Sequence, residues 1–432
     1  MIYKTMDENK QELEQEKEQE QEQETEKTKP STFKKGVFAG IIGTLVVLTA
    51  VLVSGWFVLG RFYDTGFMDL KDIGKAKVIS GLIDKYYYKD VSDTAKKNGI
   101  YKGLMEAMDD PYTKYMTASE YKEEMEDTSG EYVGIGVSVL REEDSKDVIV
   151  QQVFDGSSAQ KAGIVKGDKL ISADGVFADS LTLTEFTRKI RGKAGTSVTI
   201  VYSHNGERHT VKLKRAAVEN PSVYGKMLDE SAGIGYIEIT EFNSKTQEEF
   251  EETLSDLKKK GMKAVIYDLR ANPGGLVDSV TKILDDILPK GTTVYMMDKY
   301  GKKTTYTSDD KKQEKLPTVV LISGNTASAA EIFSGAVRDF KYGTLIGTKT
   351  FGKGIVQQEF TLGDGSALKM TVETYYTPSG ECIHKKGIEP DIKMEYKYTG
   401  DTASVTDMDS YDFSKDNQVQ KGISVLKGKL VN

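Results

Sequence analysis

Two short apolar runs, each ending in a turn and followed by a helical pattern, constrain this fold more than any other feature. Ala264-Val-Ile-Tyr-Asp-Leu269 ends at Asn272-Pro-Gly-Gly275, and residues 277–288 then repeat apolar positions at helical spacing. Thr318-Val-Val-Leu-Ile322 ends at residues 323–326, ahead of a helical pattern over 329–340. Runs this short, bounded by turn formers, read as buried strands. Gly233-Ile-Gly-Tyr-Ile-Glu-Ile239 and residues 247–260 come before them in the same order. Repeated strand–turn–helix units predict βα architecture, with functional groups at the carboxyl ends of the strands. Residues 217–400 are therefore read as one βα core, and residues 401–432 as a terminal segment with a late helix over 417–429.

The chain has 432 residues, which suits about three domains. Its formal charge of -8 argues against a protein that coats nucleic acid. The single cysteine, Cys382, excludes an internal disulfide framework and a multi-cysteine zinc site. No metal or cofactor is expected.

Residues 1–35 are rich in Glu, Gln and Lys and have little to bury, so a disordered tail is expected. Residues 36–60 then run for 25 positions without a charge. At ~1.5 Å per residue that length crosses ~30 Å of hydrocarbon, and it exceeds the ~7–15 apolar residues of a cleaved signal. An uncleaved membrane anchor is expected. Lys27, Lys29, Lys34 and Lys35 precede it, and Arg61 follows. By the positive-inside rule the N-terminus is cytoplasmic and the rest of the chain lies outside.

Residues 67–125 read as helical, with Val78, Ile79, Leu82, Ile83 and Tyr86 at helical spacing. Residues 130–215 change to short β-like runs at 148–150, 169–171 and 198–202, with a helix within 181–190. Tyr132-Val-Gly-Ile-Gly-Val137 and the string from Ser157 to Ile171, with its Ala162-Gly163 and Gly167-Asp168, resemble a PDZ domain. That resemblance implies that Val133, Gly134, Ile135 and Gly136 offer backbone N–H groups to a peptide carboxylate. The peptide would then add as a strand to the sheet edge.

Ser328 stands at the mouth of a predicted helix. Ser328-Ala-Ala-Glu331 also fits a capping box, so capping and nucleophilic roles both remain open for the hydroxyl. Residues 347–353 satisfy the first seven places of a phosphate-binding Walker A loop. Gly354 then stands where Ser or Thr is needed, and a strand pattern follows where that loop needs a helix. Of the three histidines, His204 and His209 flank the Asn205-Gly206 turn and read as surface residues. His384 follows the Pro378-Ser-Gly turn and has little claim to a catalytic part.

Taken in order, Asp110-Pro-Tyr-Thr-Lys-Tyr115, the PDZ-like segment, Asp268-Leu-Arg-Ala-Asn-Pro-Gly-Gly275, Thr326-Ala-Ser-Ala-Ala-Glu-Ile-Phe333 and Thr350-Phe-Gly-Lys-Gly354 resemble the C-terminal processing peptidases, or tail-specific serine proteases. The resemblance covers about residues 70–425. It implies an α/β multidomain chain in which a PDZ domain is inserted before a serine protease core of ClpP/crotonase-like βα type. It makes Ser328 the nucleophile, Lys353 the general base and Gln357 the residue that orients the lysine. Gln357 lies four positions on in a predicted strand, and so on the same face. The resemblance also implies an oxyanion hole from Ala329 with Gly274 or Gly275. A lysine base near neutrality needs its pKa lowered by ~3 units, or ~4 kcal/mol. Burial can supply this, and Phe351 and Ile355 are the apolar neighbours in sequence.

A membrane-anchored endopeptidase acting on exported proteins is the expected activity, with apolar C-terminal tails captured by the PDZ domain. Arg188 or Arg191 would then signal between domains, and a homodimer would form through terminal helices. The alternative is an inactive PDZ scaffold.

Overall fold

The computed structural model describes residues 17–18 and 69–431, apart from 143, 144, 402–404, 406 and 407. The expected anchor at 36–60 and all of the expected tail except 17–18 lie outside the described residues. Among the described residues, no helix is long and apolar enough to cross a membrane.

The described residues up to 97 and those from 98 onward fall into two compact units. In the first, helix α1 (Leu70–Tyr86) starts at a capping box in which the Asp69 carboxylate accepts from Lys71 and Asp72 N–H. Its Val78, Ile79, Leu82 and Tyr86 are all exposed.

Helix α2 (Asp93–Glu106) follows, and then the region departs from its expected helical character. Strand β1 (Lys114–Met116) sits between α2 and α3 (Ala118–Ser129), and it pairs with a strand some 250 residues later. Three residues carry too little periodicity to show this locally.

Strand β2 (Glu131–Gly134) pairs antiparallel with β9 (Ala216–Glu219), and this ribbon opens and closes the inserted module. Within it, β3 (Val137–Arg141), β4 (Val148–Val153), β5 (Lys169–Ala173), the short β6 (Val176–Phe177), β7 (Ser197–His204) and β8 (Glu207–Lys214) form an antiparallel sheet. β3 is its edge. A short helix α4 (Ser158–Lys161) and helix α5 (Leu183–Ile190) complete the module. Its core gathers Ile135, Val148, Val150, Leu170, Phe186 and Ile200. His204 accompanies the buried Asp168 at 2.7 Å.

The larger core is a six-stranded sheet in the order β10–β11–β12–β15–β16–β19. Its strands are β10 (Val223–Asp229), β11 (Ile234–Ile239), β12 (Ala264–Asp268), β15 (Thr318–Ile322), β16 (Gly343–Gly347) and β19 (Ile392–Lys393). All its pairings are parallel except β10 with β11. β12 and β15 are buried at every position, as parallel strands covered on both faces must be. One face packs on α6 (Thr246–Lys259), α7 (Val277–Ile287) and α8 (Ala329–Asp339), through Phe250, Leu254, Ile283 and Phe333. The other face packs on α9 (Asn417–Val431) through Val419 and Leu426.

A second, antiparallel sheet comprises β13 (Gly291–Asp298), β14 (Lys303–Ser308), β17 (Ile355–Thr361) and β18 (Ala367–Tyr376), together with β1. β17 follows one side of β18. On the other side, β1 meets residues 367–369 and β13 meets residues 373–376. The loop that carries Lys353 leads directly into this sheet.

Candidate active site

Both strand–turn–helix units converge at the carboxyl ends of β12 and β15. The Thr326 hydroxyl donates to the Leu269 carbonyl at 2.7 Å, and Ala327 N–H donates to the Asn272 carbonyl at 3.0 Å. The two turns are thereby held together. Asn272 is fully buried and also donates its side-chain amide to Ile239 O at 2.9 Å.

Ser328 precedes α8 with φ 54° and ψ -118°. Positive φ is costly for a residue with a Cβ, and such strain persists where the surroundings impose it, often at functional sites. Of the two roles open for Ser328, capping is carried mainly by other groups. The Glu331 carboxylate accepts from Ser328 N–H at 3.0 Å, and Glu331 N–H donates to the Ser328 carbonyl at 2.8 Å.

Gly274 must remain glycine. A Cβ there, at φ 107°, would lie 2.7 Å from Ser328 Cβ and 2.9 Å from Ala329 N. It was also one of the expected oxyanion donors, and here the expectation needs correction, because its N–H donates to Asn272 Oδ1 at 2.8 Å. Among the described residues, Ala329 N–H and Gly275 N–H have no acceptor. Both amides lie beside the positive end of the α8 dipole, an environment that favours negative charge.

Glu331 is the residue that sequence reasoning passed over. Reading it as a helix cap was correct, yet its carboxylate does more. It accepts from Thr350 Oγ1 (2.6 Å), Gly352 N–H (2.7 Å) and Lys353 N–H (2.8 Å), and it is fully buried. One carboxylate therefore joins the backbone of Ser328 to the backbone of Lys353. Its spacing from Ser328 was visible, but nothing in the sequence indicated the partners 19 to 22 residues later.

The Lys353 side chain lies elsewhere. Among the described residues its ammonium makes no hydrogen bond to Ser328 Oγ, and it sits over the Tyr112 ring, 4.3 Å from the centroid. Burial pushes its pKa below the ordinary lysine value, helped by Lys369, while Asp110, Glu124 and Glu331 oppose. The expected apolar cover from Phe351 is absent, since that ring is 58% exposed.

Gln357 does not reach Lys353. Its side-chain amide donates to Thr371 Oγ1 at 3.1 Å on β18. The shared-face expectation fails for two local reasons. Lys353 precedes the strand, and the β17–β18 register shifts between Val356 and Gln357, which breaks the alternation.

The four expected peptide-binding residues are divided. Val133 and Gly134 belong to β2 and pair with Ala217 and Ala216, so only Ile135 and Gly136 form the loop before β3. Gly136 has φ 84°, and a Cβ would lie 2.1 Å from Ser157 Cβ. Val137 and Val139 on the edge strand, and Thr187 and Ile190 on α5, line a cavity of about 1430 Å³. Asp268, Arg270 and Asn325 of the larger core line it too. Arg188 and Arg191 tie α5 to α3. Arg188 Nε lies 2.5 Å from Glu123, and Arg191 Nη1 lies 3.2 Å from Asp127, with its guanidinium over the Tyr132 ring.

Comparison with known proteins identifies the two domains. Residues 233–394 match the model of peptidase family S41, and residues 133–214 match the PDZ domain. The carboxy-terminal processing protease CtpA of Bacillus subtilis is 35% identical over 362 residues, which covers 81% of this chain and 76% of the relative. A CtpA-like serine protease of Staphylococcus aureus is 32% identical over 360 residues, covering 82% of this chain and 71% of the relative. A solved Bacteroides fragilis structure assigned to the S41 proteases shares the fold. Its TM-score is 0.51 at 14% identity, over 81% of this chain and 97% of that one. An S41 core with an inserted PDZ domain, and two relatives matched over four-fifths of the chain, place it among the C-terminal processing peptidases: it belongs to that family and is a serine protease.

Proposed function

We propose that this protease is a membrane-anchored endopeptidase that cleaves exported proteins with a Ser328–Lys353 dyad, after its PDZ domain captures an apolar C-terminal tail. The observation that carries the reading is Glu331, whose buried carboxylate holds the Ser328 and Lys353 backbones together beside two free amides. Neutral Lys353 takes the Ser328 proton as Oγ attacks the peptide carbonyl, and the oxyanion forms between Ala329 and Gly275 N–H. Gln357 orients the lysine in the aligned site. Reaching that alignment requires the Lys353 amine to leave Tyr112.

The free edge of β3 and the Ile135–Gly136 loop support tail capture by strand addition. The ion pairs of Arg188 and Arg191 with α3 support a gating role, since they link the PDZ domain to the element that leads into its β2–β9 ribbon. The uncharged residues 36–60, with lysines before them, support the anchor and an extracytoplasmic protease. The exposed apolar face of α1 supports a homodimer.

The test is cleavage of an unfolded protein with an apolar C-terminus by the full chain. Ser328→Ala and Lys353→Ala are both expected to abolish it, with losses of at least about a thousandfold. Cleavage that survives Lys353→Ala would rule out the dyad.

A further inference from the structure

The Asp110-Pro-Tyr-Thr turn is a string to which neither the βα core nor the PDZ domain gives a role. In the structure Asp110 Oδ1 accepts Tyr112 N–H at 3.0 Å, and Oδ2 accepts the Thr113 hydroxyl at 2.7 Å. Thr113 Oγ1 in turn accepts Thr371 N–H at 3.1 Å, and the next residues pair with β18 as β1. The turn is thus fastened to the sheet whose neighbouring strand begins two residues after Lys353. That tethering runs through Asp110, Thr113 and the backbone. The Tyr112 side chain takes no part in it; its ring face meets the Lys353 ammonium.

We propose that Tyr112 and Asp110 form a holding site for the Lys353 ammonium, which keeps the amine protonated and away from Ser328 until it crosses to the hydroxyl. This rests on the Ser328–Lys353 reading above. The ring quadrupole attracts a cation but not a neutral amine. Burial would raise Asp110, but hydrogen bonds from Thr371, Thr113 and Tyr112 outweigh it and hold the carboxyl below its ordinary range, so it stays ionised. Asp110, with Glu124 on α3 and Glu331 on α8, favours the ammonium, and Lys369 on β18 opposes it. Leaving Tyr112 and Asp110 removes two stabilisers of the charge, so the amine gives its proton to solvent on departure. It then accepts the Ser328 proton.

The experiment titrates Lys353 directly. The full chain carrying Ser328→Ala is labelled with trace acetic anhydride from about pH 6 to 11, and acetylation at Lys353 is read by peptide mass spectrometry. Tyr112→Leu is expected to lower the labelling midpoint by about half to one pH unit. Asp110→Asn is expected to lower it similarly, and Tyr112→Phe, which keeps the ring face, should retain the parent midpoint. With Ser328 restored, the acid limb of kcat/KM should move down with Tyr112→Leu. An unchanged midpoint in Tyr112→Leu, or a Tyr112→Phe shift as large, would overturn the proposal. The Tyr112 pair decides the matter even if Asp110→Asn does not fold. Cleavage surviving Lys353→Ala would instead refute the dyad, a separate result that leaves the labelling midpoints interpretable.

Discussion

Four donors converge on the Glu331 carboxylate, three of them backbone N–H groups. Glu331→Gln would set an NH2 group against donors that cannot rotate away, leaving at least one of them unpaired in a buried site. A loss of about 2 kcal/mol or more is expected in denaturant unfolding, since buried hydrogen bonds to charge contribute ~1.5–3 kcal/mol each. kcat should fall more than KM rises, because Ser328 and Lys353 lose their common anchor. Glu238 makes a different prediction. Burial, and then the nearby Asp268, raise its pKa from 4.5 to about 7. Between these values the folded state binds the extra proton, so Glu238 costs the fold nothing below about pH 4.5 and destabilises it increasingly as pH rises through 7. Glu238→Gln should therefore stabilise the protein at pH 8 by roughly 1–3 kcal/mol and have little effect at pH 4, as read from thermal unfolding at the two values.

At the level of elements, the apolar face of α1 is not covered by local packing. Val78, Ile79 and Leu82 lie 49–63% exposed on a helix held by a complete capping box. Val78→Glu with Leu82→Glu should change helix stability by only a few tenths of a kcal/mol, as exposed substitutions usually do. If the apolar face pairs two copies, light scattering will show the double variant as a monomer at concentrations where the parent is a dimer. The same mass for both would remove α1 from the interface. The irregular register at Val356 and Gln357 is also an element-scale fact. A single shifted pairing turns the glutamine toward Thr371, and no pattern of residue types signalled it.

For the whole molecule, the PDZ edge strand and the carboxyl ends of the core strands line one cavity, so a tail held as proposed at the edge strand would lie in space that reaches the core. A client whose C-terminal carboxylate is amidated should show a KM about tenfold higher with kcat little changed, since one charge-assisted contact contributes ~1.5 kcal/mol or more. An unchanged KM would mean that the loop at Ile135 and Gly136 does not read the terminus.

Apolar runs and turn residues along the chain were enough to place three strands of the main sheet with the helices that follow them, the β-character of the inserted module and Ser328 at a helix mouth, but not the parallel strands at 343–347 and 392–393. Burial of the β12 and β15 runs and the backbone demands of turns act over a few residues, so a linear reading detects them. The tertiary structure alone decided which amides stay free for an oxyanion, where Glu331 sends its carboxylate, and that Lys353 rests on Tyr112 rather than on Ser328. It also brought residues 114–116 into a sheet with residues 367–369. The last three depend on groups from 19 to 255 residues apart meeting within hydrogen-bond or ring contact. Such meetings are set by packing of the whole chain, and no local periodicity encodes them.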